Sequence, residues 1–492
     1  MNSKSDLNKF YFIFVLYLSY SQAIFSAEPH FVTPKELAET ATMIVHPLTR
    51  ARSCEEIIVD LKTVGRNIGT ASALTKLLYG HATKVFHNHS IGSAFVRFEL
   101  MPTRPEFLRQ GMFSDAIPSV SYGFANFTTG RSTPNPPHLK PDVTGLTVVL
   151  NMNQKPVVLT TTASKGAFGD TGKQFSELAW FPTIMSSVLS GYSKEDLMNT
   201  QKADWKWDEK KSKSLRVNLG SILGEALGEG IFIARNPKPA LGTLLPAILS
   251  GRFSPFFGYR GVLGLGDNIG FGSGHAFLLE SLSPEKLDPV KNIGISRTAF
   301  RFGFRIVDSP VNRALIENEP GLLKTLDRVI GTGWNKADSR YLSTEFKKWN
   351  QAGPIEYEMY VQLEDKTHPE NTPIEATHRR WKSEKIPVAR MTLLPVKTGA
   401  DEVLNDFINK IPANPGLGFH RPLGVLALDR SMGPVVSREG LNAGSGAYSQ
   451  SSALRGALGV DLQRFQVEAI IEKINSLPEL MRSLGYELES QN

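Results

Sequence analysis

The sequence predicts an α+β protein in which a large antiparallel sheet closes into a barrel and helices lie on either side of it along the chain. Three observations support this fold class. The chain is dominated by short β-prone runs from Ala94 onward, and helix-start signals occur near both termini. Its 41% hydrophobic and 21% charged residues are typical of an ordinary globular protein and exclude a disordered or fibrous one.

Seven runs carry the strand prediction. In the fifth, phenylalanines at positions 300, 302 and 304 alternate with arginine or glycine, which predicts a strand with one buried face. Together the runs are numerous enough for a sheet that closes on itself. They are AFVRFEL, SYGFANF, TGLTVVLNM, KPVVLTTT, TAFRFGFRIV, IEYEMYVQL and VARMTLLPV.

Helix starts are predicted by capping patterns. Thr33 is followed by Pro34 and Glu36, and the segment from Ser476 to Glu479 repeats the arrangement near the C-terminus. A further helix is expected near residues 219–227. We therefore expect a helical arm before the barrel and helices after it.

The N-terminus has the features of a secretory signal. Lys4 and Lys9 precede an apolar run over residues 10–18, and Ala23 or Ala27 provides a small residue for cleavage. The alternative, a membrane anchor, needs ~20 predominantly apolar residues, and polar residues interrupt this run too early. We therefore expect an exported, periplasmic or secreted protein, with no stable membrane span after the signal is removed. The single cysteine, Cys54, cannot close an intramolecular disulfide.

The charge pattern argues against a nucleic-acid partner. The formal net charge is +7, and it falls to +6 when the residues of the signal leave. Lysines and arginines are scattered, and the densest run, residues 204–216, also contains acids, so a solvated loop is the better interpretation.

The chain divides into four parts on these patterns. A glycine-rich segment at residues 258–276 has the wrong spacing for a dinucleotide-binding loop, and a loop or flap is the favoured interpretation. The four parts are a signal peptide at 1–27, an N-terminal helical arm at 28–79, a barrel domain at 80–430 with an inserted region at about 185–290, and a loop with C-terminal helices at 431–492.

Several blocks resemble the catalase-related heme proteins across roughly residues 80–430. They are HNHSIGSAFVRFEL, VSYGFANF, KPDVTGLTVVL, IEYEMYVQLED and FHRPLGVLALDRS. The resemblance implies a catalase-type barrel, a heme cofactor, and decomposition of hydrogen peroxide or an organic hydroperoxide. It makes His87 the distal acid–base residue over the heme, with His89 as a second candidate.

Other heme-site positions depart from the family pattern. Gly123 stands where the family has an arginine, Ala125 where it has a serine, and Trp180 where it has an asparagine. An arginine contributes a charge-assisted contact to a heme propionate that glycine cannot replace. The proximal tyrosine has no clear counterpart. Tyr259 is the candidate axial ligand of the iron, and His275 offers an imidazole instead.

Two functional hypotheses follow. In the first, the protein is an exported heme enzyme of the catalase-like group. In the second, the barrel has lost its heme and persists as a binding or interaction scaffold, because barrel patterning requires only side chains of suitable size and polarity. A hydrolase is disfavoured, because neither a Gly-x-Ser-x-Gly elbow nor a His-Glu-x-x-His motif is present.

The signal prediction has a direct test. When the protein is produced in a host that exports it, we expect the mature chain to begin at Ile24 or Glu28, because cleavage follows a small residue. N-terminal sequencing of the exported protein measures this. A chain that still begins at Met1 would show that the apolar run is not a cleaved signal.

Overall fold

The structure is a computed structural model that describes part of the chain. The described ranges are 89–109, 111–129, 142–152, 155–163, 219–237, 253–254, 270–273, 277–279, 298–317, 341–372, 379–409 and 472–489, with positions 177–178, 181–182, 185, 189 and 241. The N-terminal arm at 28–79 and the first capping pattern at Thr33 lie outside these ranges.

The described residues form ten strands. They are β1 (His89–Leu100), β2 (Val120–Thr129), β3 (Asp142–Met152), β4 (Lys155–Thr162), β5 (Phe253–Ser254), β6 (Phe271–Gly272), β7 (Phe277–Leu279), β8 (Thr298–Ile306), β9 (Ile355–Leu363) and β10 (Ile386–Leu393). All seven runs predicted from the sequence are strands.

Eight of these strands form a closed ring. Every neighbouring pair is antiparallel, and the ring runs β1, β2, β3, β4, β6, β8, β9, β10 and back to β1. The predicted closed antiparallel barrel is therefore confirmed. Closure depends on a short contact, since β4 and β6 are joined through one residue pair, Thr162 with Gly272.

Part of the glycine-rich segment is barrel wall, contrary to the loop prediction. Phe271 and Gly272 pair with β8, and β7 pairs with the same strand farther along. Gly272 pairs with Gly303 and Phe277 with Phe300, so both short strands lie along β8. Each of the two strands is too short for a periodic pattern to reveal.

Helices cover the outside and one end of the barrel. The described helices are α1 (Leu219–Arg235), α2 (Pro310–Glu317), α3 (Tyr341–Ala352), α4 (Ala400–Asn409) and α5 (Leu477–Ser483). On the outer face, Phe407 of α4 packs edge-to-face on Phe124, with ring centroids 6.3 Å apart. Among the described residues, no helix combines the length and apolar character needed to cross a membrane.

The C-terminal segment is held on the outer face of β1 and β2. The Tyr486 ring packs against Phe95 at 5.1 Å, and its hydroxyl donates a hydrogen bond to the Pro395 carbonyl. Arg97 forms an ion pair with Glu489 at 3.0 Å. Helix α5 begins as predicted, but the Ser476 hydroxyl donates to the Lys473 carbonyl and does not cap the helix. The chain is already helical at 472–475, so no new helix start needs capping.

The inside of the barrel is filled by apolar side chains. Paired residues in neighbouring strands share a face, so the register identifies one inner face around the whole ring. Eight strands enclose a space that side chains alone fill. The inner face includes Ala94, Val96, Phe98, Ala125, Phe127, Leu146, Val148, Leu150, Leu159, Phe302, Phe304, Tyr357, Met359, Val361, Met391 and Leu393, all of them buried.

Strand β8 is buried on both faces at Arg301, whereas the sequence predicts one buried face. The three phenylalanines are buried on the inner face, as the alternation predicts, but Arg301 on the outer face is only 4% exposed. Its guanidinium lies 4.9 Å from the Trp381 ring centroid and donates a hydrogen bond to the Arg379 carbonyl at 2.8 Å. The segment after β9 thus covers this strand, and both of its faces are buried there.

The filled interior makes a prediction about stability. We expect Phe127→Ala to lower the free energy of unfolding by roughly 3–5 kcal/mol, because it leaves a cavity between barrel walls. The midpoint of urea unfolding measures the change. Phe107→Ala is the matched control, since Phe107 is 52% exposed and its loss should change stability by about 0.5 kcal/mol or less. Equal midpoints for the two variants would contradict a packed interior.

Candidate functional site

The candidate site lies at the end of the barrel where β1 begins. His89 is the first residue of β1 and pairs with Thr129 of β2, and His87 precedes it by two residues. His87 itself lies outside the described residues, and so do Tyr259, His275 and Trp180. Their predicted roles remain predictions. The described part of the candidate site consists of the strands and the helix around this end of the barrel.

Four aromatic residues, termed here the aromatic plug, fill this end of the barrel. Phe127 of β2 is at their centre. Its ring centroid lies 5.8 Å from that of Phe271 in β6, 5.2 Å from that of Phe346 in α3 and 6.5 Å from that of Tyr357 in β9. All four side chains are buried. Because β6 and β9 each lie three strands from β2 around the ring, these contacts cross the interior.

Helix α3 contributes to the plug because β1 makes room for it. Gly92 pairs with Phe127, so the two residues share the inner face. A Cβ atom on Gly92 would overlap Cδ1 of Phe346 and lie 2.6 Å from its Cε1. The missing side chain at position 92 is therefore the space that the Phe346 ring occupies.

The plug tests whether this end of the barrel fits a heme. A porphyrin is a flat ring that needs a slot between facing walls, with a ligand on one side and a distal base on the other. Here, side chains from nearly opposite walls already touch. The described residues of the barrel end therefore do not fit a heme inside the barrel.

Tyr357 is the titratable group of the plug. Its burial raises the pKa of the phenol well above its ordinary value, because no water solvates the phenolate. The hydroxyl is therefore protonated at neutral pH. An axial ligand of the catalase type is a tyrosinate, so the environment of Tyr357 opposes that role.

Gly123 shows independently whether an arginine for a heme propionate fits at this position. It pairs with Val96 of β1 and Leu150 of β3 on the inner face. A Cβ atom there would overlap the Val149 carbonyl oxygen and lie 2.9 Å from Cα of Leu150. Strands β2 and β3 thus approach so closely that a side chain at position 123 would displace backbone. An arginine that holds a propionate cannot occupy this position in the present barrel.

Ala125 lies two residues farther along the same inner face. It pairs with Ala94 of β1 and Val148 of β3, and it is fully buried. Its surroundings are aliphatic, and it offers no hydrogen-bonding group to a ligand. Position 125 is thus closely packed and does not carry the hydroxyl that the family resemblance implies.

Two of the hydroxyl groups on the inner face belong to Thr161 and Ser121, and only the first of these bonds to the backbone. The Thr161 hydroxyl donates a hydrogen bond to the Leu146 carbonyl at 3.0 Å. Ser121, on the inner face at the other end of β2, is fully buried. Among the described residues, no group of three or more His, Cys, Asp or Glu side chains is arranged to hold a metal ion.

The plug was not recognisable from the sequence. Phe127 falls in a predicted strand, but the run SYGFANF does not assign it to the inner face, because Tyr122 and Phe124 alternate on the opposite face. Its three contacts come from a helix, a far strand and the glycine-rich segment. No local pattern connects these positions.

Comparisons with known proteins found similarity to solved structures alone. No protein-family model matches the sequence, and no curated protein sequence matches it. Three of the solved structures that this chain resembles are catalases. Catalase A from Saccharomyces cerevisiae is 12% identical over 79% of this chain and 63% of its own, with a TM-score of 0.44.

Two further solved catalases are similar to a comparable degree. A fungal catalase is 12% identical over 79% of this chain and 62% of its own, with a TM-score of 0.44. A bacterial catalase is 13% identical over 77% and 60%, with a TM-score of 0.39. The chain thus spans less than two thirds of the length of the catalases it matches. The barrel is assigned from its own strand pairings.

The close approach at Gly123 predicts opposite effects of alanine at two glycines. Gly123→Ala should lower the free energy of unfolding by roughly 1–3 kcal/mol, because the methyl group forces β2 and β3 apart. Gly230→Ala is the control. It lies in α1 with open space around the added carbon, so it should raise stability by roughly 0.5–1 kcal/mol. Urea unfolding midpoints measure both, and a stabilising Gly123→Ala would contradict the close approach.

Proposed function

We propose that this protein is an exported, catalase-related barrel protein that holds no heme inside its barrel and acts as a binding or interaction scaffold. The observation that carries the proposal is the aromatic plug. A heme enzyme of this class works at the end of the barrel near the distal histidine, and that end is filled by Phe127, Phe271, Phe346 and Tyr357.

The described inner face lacks the chemical groups that heme-dependent peroxide cleavage requires. Such a site needs an axial ligand, a distal base, a polar group to orient peroxide and cations for the propionates. Position 123 excludes the cation by close backbone approach. Position 125 offers a methyl group in place of a hydroxyl, and the buried phenol of Tyr357 is neutral. The barrel retains its packing while the inner groups lack this chemistry.

The stability of the barrel explains how it could persist without a cofactor. Most described residues of the inner face are apolar, so their burial stabilises the fold whether or not a ligand is bound. A heme protein that lost its cofactor without refilling the pocket would keep a cavity, which is destabilising. The plug supplies the side chains that such a loss would require.

A second candidate function is the heme-dependent decomposition of hydrogen peroxide or an organic hydroperoxide. One observation favours it, since β1 begins two residues after His87, as the family resemblance requires of the distal base. In that case His87 would hold or move the proton, and Tyr259 or His275 would hold the iron. The heme would then have to be bound outside the packed interior.

A hemin titration distinguishes the two. We expect the full chain to show no Soret band as purified and to leave the spectrum of added hemin unchanged, because the plug leaves no slot for the ring. His87→Ala should give the same spectra as the wild type, and neither should release oxygen from hydrogen peroxide.

The opposite outcome is equally specific. A stoichiometric Soret band that is altered in Tyr259→Phe or His275→Ala would identify the axial ligand and overturn the heme-free proposal. Oxygen release that disappears in His87→Ala would assign the distal base.

A further inference from the structure

A basic segment covers part of the outer face of β8 and β9. Residues 379–385 read RRWKSEK, with four cationic side chains and one acidic one. Trp381 is buried, and the Arg301 guanidinium of β8 lies 4.9 Å from its ring centroid. Gln362 of β9 donates hydrogen bonds to the carbonyls of Trp381 and Ser383, at 3.3 Å and 2.7 Å. The backbone of this segment, termed here the basic arch, is therefore fixed on the barrel wall.

The cationic side chains of the basic arch gather near one aromatic ring. The fourth of them, Lys385, has its Nζ 5.0 Å from the ring centre of Tyr360 on β9. Arg305 of β8, which pairs with Glu358, approaches the same ring at 6.0 Å. The other three cationic side chains of the arch are exposed, and they are Arg379, Arg380 and Lys382. Positive charge is thus concentrated on this part of the outer wall.

Arg380 carries a charge that no described carboxylate neutralises. The pKa of its guanidinium is lowered, mainly because partial burial removes water from the charge, and the Tyr360 phenol opposes this shift. The group stays protonated at neutral pH, because the ordinary pKa of arginine lies far above neutrality. A partly desolvated cation attracts an incoming carboxylate more strongly than a fully hydrated one does.

Acidic residues border the basic arch. The backbone N–H of Lys382 donates to the Asn371 carbonyl at 2.8 Å, which places the loop at 364–371 beside the arch. That loop contains three acidic residues and one lysine. Glu358 lies two residues before Tyr360 on the outer face of β9. The cationic surface is therefore short, and a long uniform polyanion would meet carboxylates at its borders.

We propose that the basic arch binds a short acidic segment of a partner protein. Carboxylates of that segment pair with Arg379, Arg380 and Lys382, and the anchored backbone of the arch holds these cations in place. The acidic borders favour a short segment over a nucleic acid or a sulfated polysaccharide. The inference names a class of partner for the scaffold and rests on that proposed function.

Fluorescence anisotropy with a labelled oligoglutamate peptide tests the proposal. The full chain should bind the peptide at low ionic strength, and added salt should weaken the binding because exposed charges are screened. The variant R379A/R380A should bind about tenfold more weakly than the wild type. Oligoglutamine of the same length should not bind. A wild-type chain that does not bind oligoglutamate would overturn the proposal.

The variant R390A/R482A is the matched control. Both of its arginines are exposed and lie outside the arch, on β10 and α5, so the net charge falls by the same amount. This variant should bind within about twofold of the wild type, because local charge and not net charge attracts the peptide. Both variants should keep the wild-type midpoint of urea unfolding, since only exposed side chains are shortened.

Two further outcomes would contradict the proposal. Equal losses of binding in R379A/R380A and R390A/R482A would show that net charge alone attracts the peptide. Tighter binding of a sulfated oligosaccharide than of oligoglutamate would show that the arch favours a different class of partner. Heme uptake in the hemin titration would contradict the scaffold function itself, which the peptide experiment does not measure.

Discussion

The contact of Phe127 with Phe271 and Tyr357 across the barrel is the constraint on which the rest of the structure depends. Eight strands enclose just enough space for side chains, so a large ring from one wall reaches those of the far walls. Gly92 then leaves room for Phe346, and α3 closes the end of the barrel. Among the described residues, the interior of the barrel is thus a packed core of side chains.

The outside of the barrel is correspondingly rich in specific contacts. Arg301 is buried against Trp381, and the C-terminal segment is fastened to β1 through Tyr486 and the Arg97–Glu489 pair. Helix α1, in contrast, leaves its leucines exposed. Among the described residues, the protein thus combines a barrel wall that is covered at these places with an apolar face on α1.

The accuracy of the sequence-based predictions followed the length of each element. Seven strands were found because each runs long enough for alternation to appear, and the closed barrel followed from their number. The eighth strand of the ring was missed because it is only Phe271–Gly272, and Phe277–Leu279, which pairs farther along β8, is also very short. Ser476 directly precedes helix α5, as predicted. Its hydroxyl donates to the Lys473 carbonyl and does not cap the helix, because residues 472–475 are already helical.

The sequence alone determined the barrel class, the inward-facing residues of β8 and the glycine at position 123, because each is recorded in residue type and period-two spacing. Only the tertiary structure decided what those features mean. It brought Phe127, Phe271 and Phe346 together from a strand, a glycine-rich segment and a helix, and it pressed β2 against β3 at Gly123. These contacts join residues far apart along the chain, and no local pattern carries information about which distant side chains will share one enclosed space.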